Sequence, residues 1–219
     1  MVPVPFHFDL ISPYAYLAWC TVHDVVAPHG AVVRPVPVLF AALLDHHGTV
    51  GPAEVPAKRR YVFVDCLRTA AHLGVPLKAP PAHPFNPLLA LRVAGLDMDD
   101  TTRRRLVDRL FAAVWAGGPG VEDPDVVGAL AEEVGVPDAV ARATAPEAKA
   151  RLRASTEAAI AQGIFGVPTL VLDGELFWGL DSLGHLERRL AGLPPASLGE
   201  LEGWLSRPPT ARRPGAPGA

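Results

Sequence analysis

Phe6, Phe8 and Leu10 alternate with His7 and Asp9, the period-two pattern of a strand. Ser12-Pro13 follows: a good N-cap residue, then the residue preferred at the first helical position. A helix from Pro13 to about Ala27 places Tyr16, Trp19 and Cys20 on one face by i, i+3, i+4 spacing, and Pro28 and Gly30 stop it. That spacing predicts a buried, inert Cys20. A second strand runs from Ala31 to about Val38. Pro35 and Pro37 cannot donate to a ladder, which confines this strand to a sheet edge.

From about Phe40 to Gln162 the periodicity becomes helical. Lys58 to Leu73 reads as one helix, closed by Gly74 and Pro76. Within it Asp65 and Arg68 have the i, i+3 spacing of a structural ion pair, while Lys58-Arg59-Arg60 and Arg103-Arg104-Arg105 read as solvated faces. Ala79 to Pro87 is too rich in proline for anything but a turn or extended loop, and helix restarts at Leu88. Val107, Leu110, Phe111 and Val114 form an apolar stripe. So do Val127, Leu130, Ala131 and Val134, after an Asp123-Pro124 cap. A last helix of this region starts near Pro146 and ends at Gly163.

Strands then return. Thr169 to Leu172 is β-rich, Asp173-Gly174 signals a hairpin, and Leu176 to Trp178 is its partner. Asp181 or Ser182 can cap a helix that runs to about Leu190. The order is β-α-β, a helical block, then β-β-α, and the block is too long to be a loop. The predicted organisation is a discontinuous α/β domain of residues 1–39 and 163–206, a helical insertion of 40–162, and a disordered tail of 207–219 rich in Pro, Gly, Arg and Ala.

Composition narrows the function classes. A chain of 219 residues can bury roughly 70% of its unfolded surface, so it needs no disulfide or metal staple. Apolar residues at 49% and charged residues at 20% exclude a mostly disordered chain, and a net charge of −3 argues against a general nucleic-acid binder. Cys20 and Cys66 form no framework and no C-x-x-C pair, and no Cys/His cluster has zinc spacing. The N-terminal stretch lacks a basic leader, and the longest apolar run, Val38 to Leu44, is far short of a membrane span. The expectation is a soluble, reduced, cytoplasmic protein without a signal peptide.

Three places carry candidate chemistry. At Ser12-Pro13 a strand meets a helix, and the first amides and the helix dipole favour an anion or thiolate above Ser12. In Gly166-Val167-Pro168-Thr169 the proline stands directly before a strand. A cis bond there leaves the backbone of Val167 free to pair with an extended ligand. In Phe177-Trp178-Gly179-Leu180-Asp181-Ser182 a strand ends and a helix begins, so Asp181 can receive an amino group and the early amides a carboxylate. Each also has an ordinary structural reading, as a helix cap or a strand-start proline. Their occurrence together, in this order of elements, is the stronger signal. His46-His47 read as an exposed loop pair, and Asn86 and Arg92 are left open.

Here the sequence resembles the thioredoxin-fold branch of 2-hydroxychromene-2-carboxylate isomerases and kappa-class glutathione transferases. The matching stretches run from Phe8 to Ala18, from Pro52 to Arg59, and from Gly163 to Thr169 continuing through Phe177 to Asp181. The resemblance implies a thioredoxin fold with a large helical insertion, a homodimer, and glutathione as cofactor. Where related disulfide oxidoreductases carry C-x-x-C, this chain has Ser12-Pro13-Tyr14-Ala15, so thiol–disulfide exchange cannot run at this motif. By the same resemblance Ser12 would hydrogen-bond the glutathione thiolate, with Tyr14 contributing nearby. Val167 would pair with the cysteinyl backbone, and Leu180 and Asp181 would hold the γ-glutamyl end. Relatives often carry lysine and asparagine where this chain has Asp45 and Thr49. Thr49 takes the asparagine's place as a glutathione contact, while Asp45 would repel an acidic substrate. The implied activity is isomerisation of an unsaturated aromatic keto acid by reversible thiolate addition. The alternatives are kappa-like transfer of glutathione to an electrophile, or binding of a thiol ligand or peptide without chemistry.

Overall fold

The structure is a computed structural model and describes residues 1–208 and 210. Four strands form one sheet: β1 (Val2–Phe8), β2 (Ala31–Pro37), β3 (Thr169–Leu172) and β4 (Glu175–Trp178), in the order β2-β1-β3-β4. β1 and β2 are parallel, and β3 runs antiparallel to both its neighbours. The edge position expected for β2 from Pro35 and Pro37 is observed. Pro3 and Pro5 also lie in a strand, the inner β1. They are tolerated because β3 pairs only with Phe6 and His7 and leaves that part of β1 free on one side.

The first strand stops at Phe8, so Leu10 is a fully buried loop residue rather than a strand residue. Ser12 caps α1 (Pro13–Val26) as expected, with Pro13 in its first turn. Between Phe40 and Ala161 every regular element is helical. These are α2 (Phe40–His46), a 3-10 turn (Pro52–Glu54), α3 (Pro56–Leu73), α4 (Leu88–Ala94), α5 (Asp100–Trp115), α6 (Pro124–Glu132), α7 (Ala139–Thr144) and α8 (Pro146–Ala161). After the sheet come a 3-10 turn (Leu180–Ser182), α9 (Leu183–Leu190) and α10 (Leu198–Leu205). The chain therefore has the thioredoxin fold with a helical insertion.

Two apolar clusters hold the layers together. On one, Phe6 and Phe8 of β1 meet Trp19 of α1 and Phe111 of α5, with ring centroids 5.4 Å apart for both Phe6–Trp19 and Phe8–Phe111. The predicted stripe Val107, Leu110, Phe111 and Val114 is buried in this cluster. The smaller one joins Val38 and Leu43 to Ala159, Ile164 and Val167.

Three expectations need correction or fall outside the described residues, and one helix was not expected. Cys20 is exposed. Helix α1 is covered on most of its circumference, and Cys20 and Asp24, four residues apart, share its one open strip. Asp65 pairs with Tyr14 rather than Arg68. The apolar helix α10 went unforeseen; it leaves Leu198, Leu201, Trp204 and Leu205 exposed. The tail expected from 207 onward lies almost wholly outside the described residues. No helix among the described residues is long and apolar enough to cross a membrane.

Candidate functional site

All three candidate places lie at one end of the sheet. The C-terminal ends of β1 and β4 and the N-terminal end of β3 share it, because β4 is antiparallel to β3 and β3 to β1. Ser12 leaves the sheet there and starts α1. Its Oγ accepts from the Ala15 N–H at 3.1 Å and donates to the Val167 carbonyl across 3.4 Å, so two segments 155 residues apart meet. Both residues are buried. The Val167–Pro168 bond is cis, as is His83–Pro84. Pro168 O receives the Gly179 N–H at 2.9 Å, which brings the turn carrying Leu180 and Asp181 alongside.

Gly179 has φ 87° and ψ 164°, a conformation open to glycine alone, and an added Cβ would lie 2.6 Å from Asp181 Oδ1. Neither Asp181 nor Ser182 caps α9 through its side chain. The Ser182 hydroxyl donates instead to Gly179 O at 2.8 Å, and the exposed Asp181 carboxylate has no hydrogen-bond partner among the described residues. Leu180 is half-buried against the main core.

Tyr14, on the first turn of α1, turns towards α3, where its hydroxyl donates to Asp65 Oδ2 at 2.6 Å. Burial first, and then this carboxylate, push the phenol above its ordinary range, so it stays protonated. The neighbouring Cys66 thiol is pushed up to about 12, mainly by burial, and is held as an unreactive thiol. Thr49 follows α2 and is exposed; its N–H donates to Leu44 O at 3.0 Å, and no side-chain bond among the described residues ties it to Ser12 or Val167. The structure thus brings Ser12, Val167 and the Leu180–Asp181 turn together, sets Tyr14 beside them facing α3, and leaves Thr49 unconnected. His46 and His47 are exposed as expected, with His47 Nε2 donating to Ile164 O at 3.3 Å. Asn86 Oδ1 accepts from the Leu88 N–H at 3.0 Å just ahead of α4.

Sequence reasoning missed three residues around Ser12. Asp9 is 1% exposed; its carboxylate accepts from Ile11 N–H at 3.0 Å and Phe40 N–H at 2.9 Å. Burial pushes it up to about 6, and those two bonds pull the other way. Trp115 Nε1 donates to Leu10 O at 2.8 Å, and His83 Nε2 donates to Ile11 O at 3.1 Å. Asp9 as a polar break in an apolar run was the only local signal among them.

A thioredoxin fold with serine at the head of its first helix, facing a cis-proline loop, defines the class, and the DsbA-like thioredoxin domain model matches residues 3–191. The chain belongs to that family. It is 30% identical to 2-hydroxychromene-2-carboxylate isomerase of Sphingobium xenophagum, over 85% of this chain and 97% of that relative. It is 25% identical to glutathione S-transferase kappa 1 of Homo sapiens, over 88% of this chain and 95% of the relative. A solved 2-hydroxychromene-2-carboxylate isomerase superposes with a TM-score of 0.77 at 28% identity, covering 94% of this chain and 100% of that one. These relatives support an enzyme of isomerase or glutathione-transferase type.

Proposed function

We propose that the protein is a glutathione-dependent isomerase of the 2-hydroxychromene-2-carboxylate type, acting on an unsaturated aromatic keto acid. The observation that carries this reading is the free hydrogen-bonding capacity facing Ser12. The Val167 N–H has no hydrogen-bond partner among the described residues, and Ser12 Oγ spends its own hydrogen only on a long 3.4 Å contact. An amide left unpaired by the protein beside the Pro168 loop is available to the backbone of an extended peptide-like ligand. The unpartnered Asp181 carboxylate fits an ammonium group. For glutathione, Ser12 fits the sulfur, Val167 the cysteinyl backbone, and Leu180 and Asp181 the γ-glutamyl end; Tyr14 and Thr49 enter as further contacts only through the family resemblance.

When bound, glutathione supplies a thiolate for reversible addition to a conjugated carbonyl. The chain's own part is positioning and electrostatics. The Ser12 hydroxyl turns from Val167 O to donate to the sulfur, and the N-terminal end of α1 favours negative charge there. Tyr14, held neutral, adds no competing charge.

Calorimetric titration with glutathione, followed by incubation with an unsaturated aromatic keto acid, tests the reading. Binding with a product of unchanged mass supports it; absence of binding removes it. A product heavier by one glutathione favours kappa-type transfer, the second reading. The further expectations are a homodimer, residence in the cytoplasm, and the division into a 1–39 and 163–206 domain and a 40–162 insertion.

A further inference from the structure

The two peptide units that precede Ser12 are each gripped at both ends. In the unit between Leu10 and Ile11, the carbonyl accepts from Trp115 Nε1 at 2.8 Å and the N–H donates to the Asp9 carboxylate at 3.0 Å. In the unit between Ile11 and Ser12, the carbonyl accepts from His83 Nε2 at 3.1 Å and the N–H donates to Asp9 O at 3.2 Å. Residues 9–12 lie outside both the sheet and α1, so no ladder or helix supplies these partners. One donor in each unit comes from the helical insertion, 105 residues away for Trp115 and 72 for His83.

We propose that His83 and Trp115 are positioning residues for Ser12: their ring N–H groups fix the two peptide planes that aim its hydroxyl. The proposal rests on the reading of Ser12 as the residue that receives the thiol.

The donors are themselves immobilised. Trp115 is 1% exposed, and its backbone carbonyl accepts from Lys78 N–H at 2.7 Å. His83 packs against Trp115 and Phe63, with centroids 5.7 and 5.2 Å apart, and its carbonyl accepts from Arg59 at 2.6 Å. A carbonyl only accepts, so the His83 hydrogen sits on Nε2. Burial holds the ring below its ordinary pKa against the opposing pull of the Ile11 hydrogen bond, and nearby Arg59 acts in the same direction as burial. Pro13 fixes the backbone on the far side of Ser12, so with both preceding planes held the residue has little rotational freedom left. A misplacement of about 1 Å can cost about a hundredfold in rate, which is what such a clamp prevents.

Three variants separate the clamp from general packing. Trp115→Phe keeps an aromatic ring and removes the donor; His83→Leu removes the donor; His83→Gln restores one, because its amide nitrogen reaches the place of Nε2. In the ligand-free protein, amide hydrogen exchange at Ile11 and Ser12 should quicken by about tenfold or more in the first two and recover in His83→Gln, with β1 unchanged. With glutathione bound, the pH titration of its thiolate absorbance should shift upward in the first two, and kcat should fall while KM holds. Unchanged exchange at Ile11 and Ser12 in both donor-free variants overturns the clamp. Unchanged thiol titration, in a parent that does lower the thiol pKa, overturns its role in aiming Ser12. A parent that leaves the thiol at its solution pKa refutes the proposed function instead, and exchange alone then decides the clamp. If Trp115→Phe does not fold, the two His83 variants decide it.

Discussion

Ser12 Oγ accepts a sound hydrogen bond from Ala15 N–H and makes only a stretched one with its own hydrogen. Removing it therefore has two separable effects. Losing the cap costs about 1 kcal/mol of stability, and losing a hydrogen bond to a charged sulfur costs about 1.5–3 kcal/mol. In Ser12→Ala the bound thiol should titrate at higher pH and turnover should fall by roughly ten- to a hundredfold, since the dipole of α1 remains. Thiolate absorbance against pH, beside a melting curve, reads both effects. Asp181 differs in that it caps nothing: its carboxylate is exposed and unpartnered. Asp181→Ala should weaken glutathione binding in calorimetry and leave the melting temperature unchanged. A fall in melting temperature with unchanged affinity would return Asp181 to a structural role.

Among the elements, the junction of β4 and α9 tolerates little change. Gly179 combines a glycine-only conformation with the close approach of Asp181, and its N–H bonds the cis proline's carbonyl. Gly179→Ala should destabilise the fold by about 1–3 kcal/mol, measured as a drop in urea midpoint. It should also lower glutathione affinity, because Val167 and Asp181 are adjusted through this turn. The elements themselves were largely legible. Ser12-Pro13, Asp123-Pro124, the edge prolines and the Asp173-Gly174 hairpin are local signals, set by φ restriction and missing donors within a few residues. α10 was missed although Leu198, Leu201, Trp204 and Leu205 recur at near-helical spacing.

For the whole molecule, four buried or half-buried groups set opposing responses to acid. His7, His23 and His83 are held below the ordinary histidine value of 6.5, in each case chiefly by burial. The unfolded chain therefore takes up their protons first, and their share of the stability is lost as pH falls below 6.5. Asp9, pushed up from 3.8 to about 6, does the opposite: the folded state binds its proton first, which adds stability as pH falls through 6. Asp9→Asn removes this opposing contribution. Its urea midpoint should drop more steeply than the parent's between pH 6 and pH 4, and parallel profiles would contradict the assignment.

The sequence alone determined the order of elements, their capping and breaking residues, the edge position of β2, and which short stretches carry the family resemblance. All of these depend on interactions among near neighbours. Only the tertiary structure decided that Tyr14 meets Asp65 rather than leaving it to Arg68, that Cys20 falls on the one open strip of α1, and that Thr49 stands unconnected to Ser12. It also decided that Trp115 and His83 reach back to Leu10 and Ile11. The physical reason is that periodicity fixes which side of a helix is apolar but not what packs against it. A buried carbonyl accepts whichever donor the packing delivers, and here the donors come from 105 and 72 residues away.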